Sequence, residues 1–239
     1  MSELIYNIIA WDQHWTVFLN NQGTPFWDTF IWLYTDKLTW IPLALMLLIC
    51  IVRKQWKVAL LTVAAIVVLV FMCDWVTSSV IKPYFHRYRP TRDPIVGELV
   101  RTIHEYRGGR FGFCSSHSSN SFGLFLFTSW LFRKRSYTVA MLMWAVMMSY
   151  SRIYCGVHYI MDILVGAMWG LLSAAVCYQG YVYLYRRYGL EKYSSTLKTC
   201  KVRTNEIPCD YTLKEVSAIV GVMCATVIVL LAITLIAAG

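Results

Sequence analysis

Three short segments hold nearly all of the polar chemistry in this chain. The first is Lys82-Pro-Tyr-Phe-His-Arg-Tyr-Arg89-Pro90 and the second is Cys114-Ser115-Ser116-His117. The third opens on Ser151-Arg152 and continues to His158 and Asp162. Lys82, Arg89 and Arg152 are three cations suited to a doubly charged phosphate. Ser115 and Ser116 fall at an expected helix start, where unpaired backbone N–H groups and the helix dipole favour an anion. His158 and Asp162 are four residues apart, so on one helix they share a face. A carboxylate placed there bonds one ring nitrogen, fixes the tautomer and leaves the other nitrogen more nucleophilic. His117 is then available as a separate acid–base group.

These segments must be positioned by a membrane protein. Of the 239 residues, 58% are apolar and only 15% are charged, against about a quarter charged in soluble domains. That composition excludes disorder and small disulfide-stapled folds. The expected fold is all-α, a single polytopic bundle of about six transmembrane helices. Runs long enough to cross lie at Phe26–Val52, Val58–Ile81, His117–Phe132, Ser136–Tyr150, Tyr159–Tyr185 and Val216–Gly239. The third and fourth are short, which is tolerated where polar flanks line an enclosed cavity. Before them, Leu4, Ile8, Trp11, Trp15 and Phe18 recur at three- and four-residue steps, with Glu3, Asn7 and His14 opposite. This pattern predicts an amphipathic N-terminal helix lying in the interface, ended by Gly23-Thr24-Pro25.

The net charge of +9 then divides by side. Residues 1–36 contain no Lys or Arg, whereas 53–57, 133–135 and the linker 186–215 are basic. With six spans these three connections share one side, which the positive-inside rule makes cytoplasmic. The loop 82–116 is basic on the opposite side, so its cations are expected to have another task. Nothing in the chain resembles a nucleic-acid surface with interleaved aromatics.

Lys-x6-Arg-Pro, a Ser-x-His segment, then Ser-Arg-x5-His-x3-Asp resembles the three-part signature of the type 2 phosphatidic acid phosphatase superfamily. Lys82, Arg89, Pro90, Ser151, Arg152, His158 and Asp162 match at every defining position. The middle motif departs, with Cys114-Ser115-Ser116-His117 where the family has Pro-Ser-Gly-His. The motifs and the spans between them cover residues 58–185, the expected phosphatase core, with 216–239 an additional helix. The resemblance implies a bacterial membrane enzyme without metal or cofactor, its site facing the outside of the inner membrane. By that resemblance His158 attacks phosphorus and becomes phosphohistidine, Asp162 orients it, and His117 protonates the leaving oxygen and then activates water. Lys82, Arg89, Arg152 and the Ser115–His117 backbone would hold the equatorial oxygens. The implied substrate is a lipid phosphate: undecaprenyl diphosphate, lipid A or phosphatidylglycerol phosphate.

Other readings of the same residues stay open at this point. Cys114-x-x-His117 and Cys155-x-x-His158 could form a zinc set, but this leaves three nearby cations that would repel a dication. Cys114 and Cys155 could be bridged, or could be small core fillers. Arg92, Arg101, Arg107 and Arg110 lie between the first two motifs and are expected to form a head-group lid over a polyanionic lipid. The rival functions are a phosphotransferase using the same histidine, a small transporter and a non-catalytic scaffold.

Overall fold

A computed structural model describes residues 3–193 and 211–238, so most of the linker 186–215, with Cys200 and Cys209, lies outside the described residues. Within them the chain is all-helical. The order is α1 (Glu3–Asn20), α2 (Pro25–Thr35), α3 (Ile41–Val52), α4 (Trp56–Trp75) and α5 (Lys82–Phe85), followed by α6 (Ser116–Phe132), α7 (Arg135–Tyr154), α8 (Ile160–Arg187) and α9 (Leu213–Ala238). Among the described residues three helices are long and apolar enough to cross a membrane: Trp56–Phe85, Ile160–Arg187 and Leu213–Ala237. A fourth crossing arises if α2 and α3, which meet at 65°, count as one broken span. α6 is shorter than these and opens on a run of serines, as the cavity-lining argument anticipates.

The bend between α2 and α3 is satisfied locally. Asp36 accepts the Leu38 N–H at 3.0 Å, while Thr39 and Trp40 side chains donate to the Leu33 and Tyr34 carbonyls at 2.7 and 2.8 Å. The backbone acceptors released at the end of α2 are thus re-paired by side chains, which an apolar setting requires. Pro42 then starts α3, where its missing N–H is harmless.

α6 and α8 form the centre of the bundle. Gly166, Gly170 and Ala174 make a ridge of small residues on α8. A Cβ at Gly170 would lie 2.1 Å from the Ser119 carbonyl oxygen, and one at Gly166 would lie 2.5 Å from that of Ser115. Only hydrogen fits at either place. Gly170→Ala is therefore expected to destabilise the fold by about 1–3 kcal/mol, through forced separation of the two helices. Thermal unfolding in detergent checks this, and an unchanged midpoint would contradict it. α9 packs on α2, α3 and α7 through Val216, Ile219, Met223 and Leu230. The parallel ridge Ser217-Gly221-Ala225 faces outward instead, with nothing within 4 Å of a Cβ at Gly221.

α1 carries two faces, and its protein-facing one differs from expectation. Leu4, Ile8, Trp11, Trp15 and Phe18 are exposed together, as an interfacial helix requires. The buried line is Asp12, Thr16 and Asn20, whereas Glu3, Asn7 and His14 are exposed. Asn20 shows why. Its amide donates to the Arg101 and Tyr154 carbonyls at 3.1 and 2.8 Å, and its oxygen accepts the Arg101 N–H at 2.7 Å. The polar face of α1 is docked on the loops that carry the motifs.

Candidate active site

Each motif arrives at the site from a different local structure. The helix Trp56–Phe85 has a π turn over Val76–Ile81, in which the Lys82 N–H bonds the Thr77 carbonyl. Widening the helix brings residues five apart, Thr77 and Lys82, onto one line. Both then meet the same hydroxyl: Thr77 Oγ1 and Lys82 Nζ each donate to Ser116 Oγ at 2.7 Å. Ser115 caps α6, accepting the Ser118 N–H at 3.3 Å. Ser116 and His117 are therefore the first helical residues, and their N–H groups have no carbonyl partner within the helix. The substituted Ser116 keeps that N–H and adds an anchor for Lys82.

The third motif is built on a turn between α7 and α8. Gly156 takes a left-handed φ of +68°, and a Cβ there would lie 2.5 Å from Val100 Cγ1. The turn places His158 before α8 rather than on it. The expected shared helix face is replaced by a cap: Asp162, in the first turn of α8, accepts the Tyr159 N–H on Oδ2 at 3.1 Å. The same Oδ2 lies 3.3 Å from His158 Nδ1. A proton on Nδ1 shared with this carboxylate leaves Nε2 with its lone pair free. Burial pushes the His158 pKa well below the ordinary imidazole value, and the neighbouring Arg89 and Arg152 push it further down. The ring therefore stays neutral and nucleophilic at neutral pH.

His158 lines a cavity of about 560 Å³ together with Lys82, Arg89, Arg152, Ser116 and His117. Arg89 Nη1 lies 3.4 Å from Nε2, and its Nε donates to the Phe111 carbonyl at 3.2 Å. Arg152 is 5% exposed and donates through Nη1 to Thr35 at 2.9 Å. Its Nε is buried with no hydrogen-bond partner among the described residues. Burial lowers the Arg89 pKa from its ordinary value, and the like charge of Arg152 adds to this. Two desolvated guanidiniums and a lysine around one space are complementary to a dianion. Lys37 and Asp74 line the cavity as well.

The lid arginines do not act as a group. Arg101 is tied to Asp28 at 2.6 and 2.7 Å, with Tyr154 donating to the same carboxylate at 2.7 Å. It fastens the loop 91–113 to α1, α2 and α7 rather than facing a head group. Arg110 donates to the Tyr88 hydroxyl at 3.0 Å. Arg92 and Arg107 line a second, open cavity of about 610 Å³ with Trp32, His104 and Tyr106. Tyr106 also lines the first cavity, so the two adjoin. Cys114 and Cys155 are buried free thiols.

One residue in contact with the motif side chains escaped the sequence reading. Arg87 sits inside the first motif between its defining residues, and its Nη1 donates to Asp162 Oδ1 at 2.9 Å. The only sequence signal was a third basic residue in a loop whose charge already opposed the topology rule.

Helices enclosing a cation-lined cavity with a carboxylate-held histidine define a membrane phosphatase. The chain belongs to the PAP2 superfamily, whose family profile matches residues 56–186. The lipid A 4'-phosphatase of Porphyromonas gingivalis is 40% identical over 170 residues, 71% of this chain and 71% of that protein. The lipid A 4'-phosphatase of Bacteroides thetaiotaomicron is 39% identical over 161 residues, 66% of this chain and 72% of that one. The crystal structure of Aquifex aeolicus LpxE has the same fold, with a TM-score of 0.56 at 22% identity, covering 69% of this chain and 92% of that one.

Proposed function

We propose that this chain removes a phosphate from a lipid A-type glycolipid in two steps, through a phosphohistidine at His158. The observation that carries this is His158 itself, held through Nδ1 by Asp162 and lining the cation-lined cavity. In the first step Nε2 forms a bond to phosphorus as the phosphorus–oxygen bond to the lipid breaks. The departing oxygen takes a proton from His117, whose imidazolium form a bound dianion stabilises. Lys82, Arg89, Arg152 and the N–H groups of Ser116 and His117 hold the three equatorial oxygens, where charge gathers in the transition state. In the second step His117 takes a proton from water, the hydroxyl attacks phosphorus, and the N–P bond breaks to return neutral His158 and inorganic phosphate.

Six crossings suit this reading: α2 with α3, α4 with α5, then α6, α7, α8 and α9. The basic turns at 53–55 and 133–134 then lie on the cytoplasmic side, and the motifs lie outside with α1 in the interface. In a bacterial inner membrane the site would open to the periplasm, where a glycolipid can present its head group while its acyl chains remain in the bilayer. The two lipid A 4'-phosphatases similar to this chain favour lipid A over undecaprenyl diphosphate and phosphatidylglycerol phosphate. The second cavity favours it too, since Arg92 and Arg107 beside Trp32 and Tyr106 suit a further phosphate and a sugar ring.

Phosphate release by purified protein in EDTA, across a panel of lipid phosphates, tests the proposal. Lipid A is expected to be the preferred substrate without added metal. Arg92→Ala with Arg107→Ala is expected to raise KM for bis-phosphorylated lipid A by about tenfold, with a smaller change for phosphatidic acid. Preference for another lipid, dependence on metal, or phosphate passing to a second lipid instead of water would each contradict the proposal.

A further inference from the structure

Arg87 does not end the chain of contacts behind His158. Its Nη2 donates to Asp12 Oδ2 at 2.5 Å, and its guanidinium lies over the Tyr159 ring at 4.2 Å from the centroid. Asp12 belongs to α1 and is 1% exposed. Its other oxygen accepts the Met161 N–H at 3.0 Å, and Thr16 accepts the Ile160 N–H at 3.2 Å. These two N–H groups start α8, and the N-terminal residue Tyr159 offers no short polar side chain to cap them. The caps are supplied from α1, a different helix.

The consequence falls on Asp162. Its side chain is wholly buried, and Oδ2 is already committed to Tyr159 and His158. A buried carboxylate without a cation takes up a proton. A protonated Asp162 could donate to His158 Nδ1, which would move the ring proton to Nε2 and remove the attacking lone pair. Arg87 on Oδ1 keeps Asp162 an acceptor. Asp12 fixes the plane of that guanidinium and balances its second face. The backbone of Arg87 is pinned as well, its carbonyl accepting the Gly112 N–H at 2.9 Å.

We propose that Asp12, acting through Arg87, is a positioning residue for the His158–Asp162 pair, which makes α1 part of the catalytic apparatus. The inference rests on His158 being the nucleophile. Asp12→Asn keeps the shape and the bond to Met161 but removes the charge. It is expected to lower kcat about 10- to 100-fold with KM within about twofold of the parent, because the phosphate-binding cations are untouched. Arg87→Ala should do the same. The double variant should be no slower than Arg87→Ala alone, within about twofold, since both act through one contact. If Arg87→Ala does not yield a monodisperse protein, Arg87→Lys takes its place in the cycle.

Parent protein and variants are purified full-length in detergent and assayed on lipid A and on para-nitrophenyl phosphate. Losses that multiply in the double variant would overturn the relay. So would a kcat unchanged in Asp12→Asn, or a loss carried by KM. If the parent forms no phosphohistidine at His158, the reading beneath the inference fails. If the parent does form it and Asp12→Asn is as fast, the relay alone fails.

Discussion

His158→Ala is expected to abolish turnover, by about 10⁴-fold or more in kcat, with the protein still folded and still binding substrate. Water can replace the imidazole only poorly, because it is a weaker nucleophile and lacks the orientation that Asp162 gives the ring. Lys82, Arg89 and Arg152 remain, so a non-hydrolysable phosphonate analogue should bind the variant about as well as it binds the parent. His117→Ala should behave differently. A sugar phosphate has a poor leaving group that needs a proton, so its hydrolysis should fall steeply. A diphosphate or an aryl phosphate departs with less assistance, so its first step should be less affected, and the phosphoenzyme should accumulate because the second step still lacks its base. Comparable turnover by His158→Ala and the parent would remove the basis of the mechanism.

Asp162→Asn should have the second largest effect, a loss of about 10³- to 10⁴-fold in kcat with little change in KM. The substitution preserves volume and can still accept the Tyr159 N–H when its amide oxygen takes the place of Oδ2. The amide nitrogen cannot then serve both neighbours: turned to His158 it donates to Nδ1 and fixes the proton on Nε2, and turned to Arg87 it opposes a donor. The first orientation removes the attacking lone pair and the second withdraws the negative charge that supports the imidazole, while both leave the phosphate-binding cations in place. Steady-state kinetics on lipid A separates the two parameters, and a change confined to KM would place Asp162 in substrate binding instead.

Much of this site was legible in the order of residues along the chain. Lys82, Arg89, Ser115, Ser116, His117, Arg152, His158 and Asp162 do converge, because the spans between the motifs return them to one end of the bundle. What stayed hidden depends on partners distant in sequence. Asp12 and Arg87 are 75 positions apart, as are Arg87 and Asp162, and no local pattern marks such pairs. α1 showed its exposed apolar stripe by periodicity, but its docking face is only the line Asp12, Thr16 and Asn20, polar residues among others on an ordinary amphipathic helix. Arg101 looked like its neighbouring arginines, and only the arrival of Asp28 from α2 makes it a strut. The four-residue step from His158 to Asp162 gave the right contact for a different reason, a helix cap instead of a helix face.

The most direct test of the central claim is to find where the phosphate goes. His117→Ala given ³²P-labelled para-nitrophenyl phosphate should complete the first step, since nitrophenolate leaves unprotonated, and stall before the second, which needs His117 as base. Rapid quenching and peptide mapping should then recover an acid-labile, alkali-stable label on His158. Label on any other residue, or steady phosphate release with no labelled protein at any time, would contradict the account.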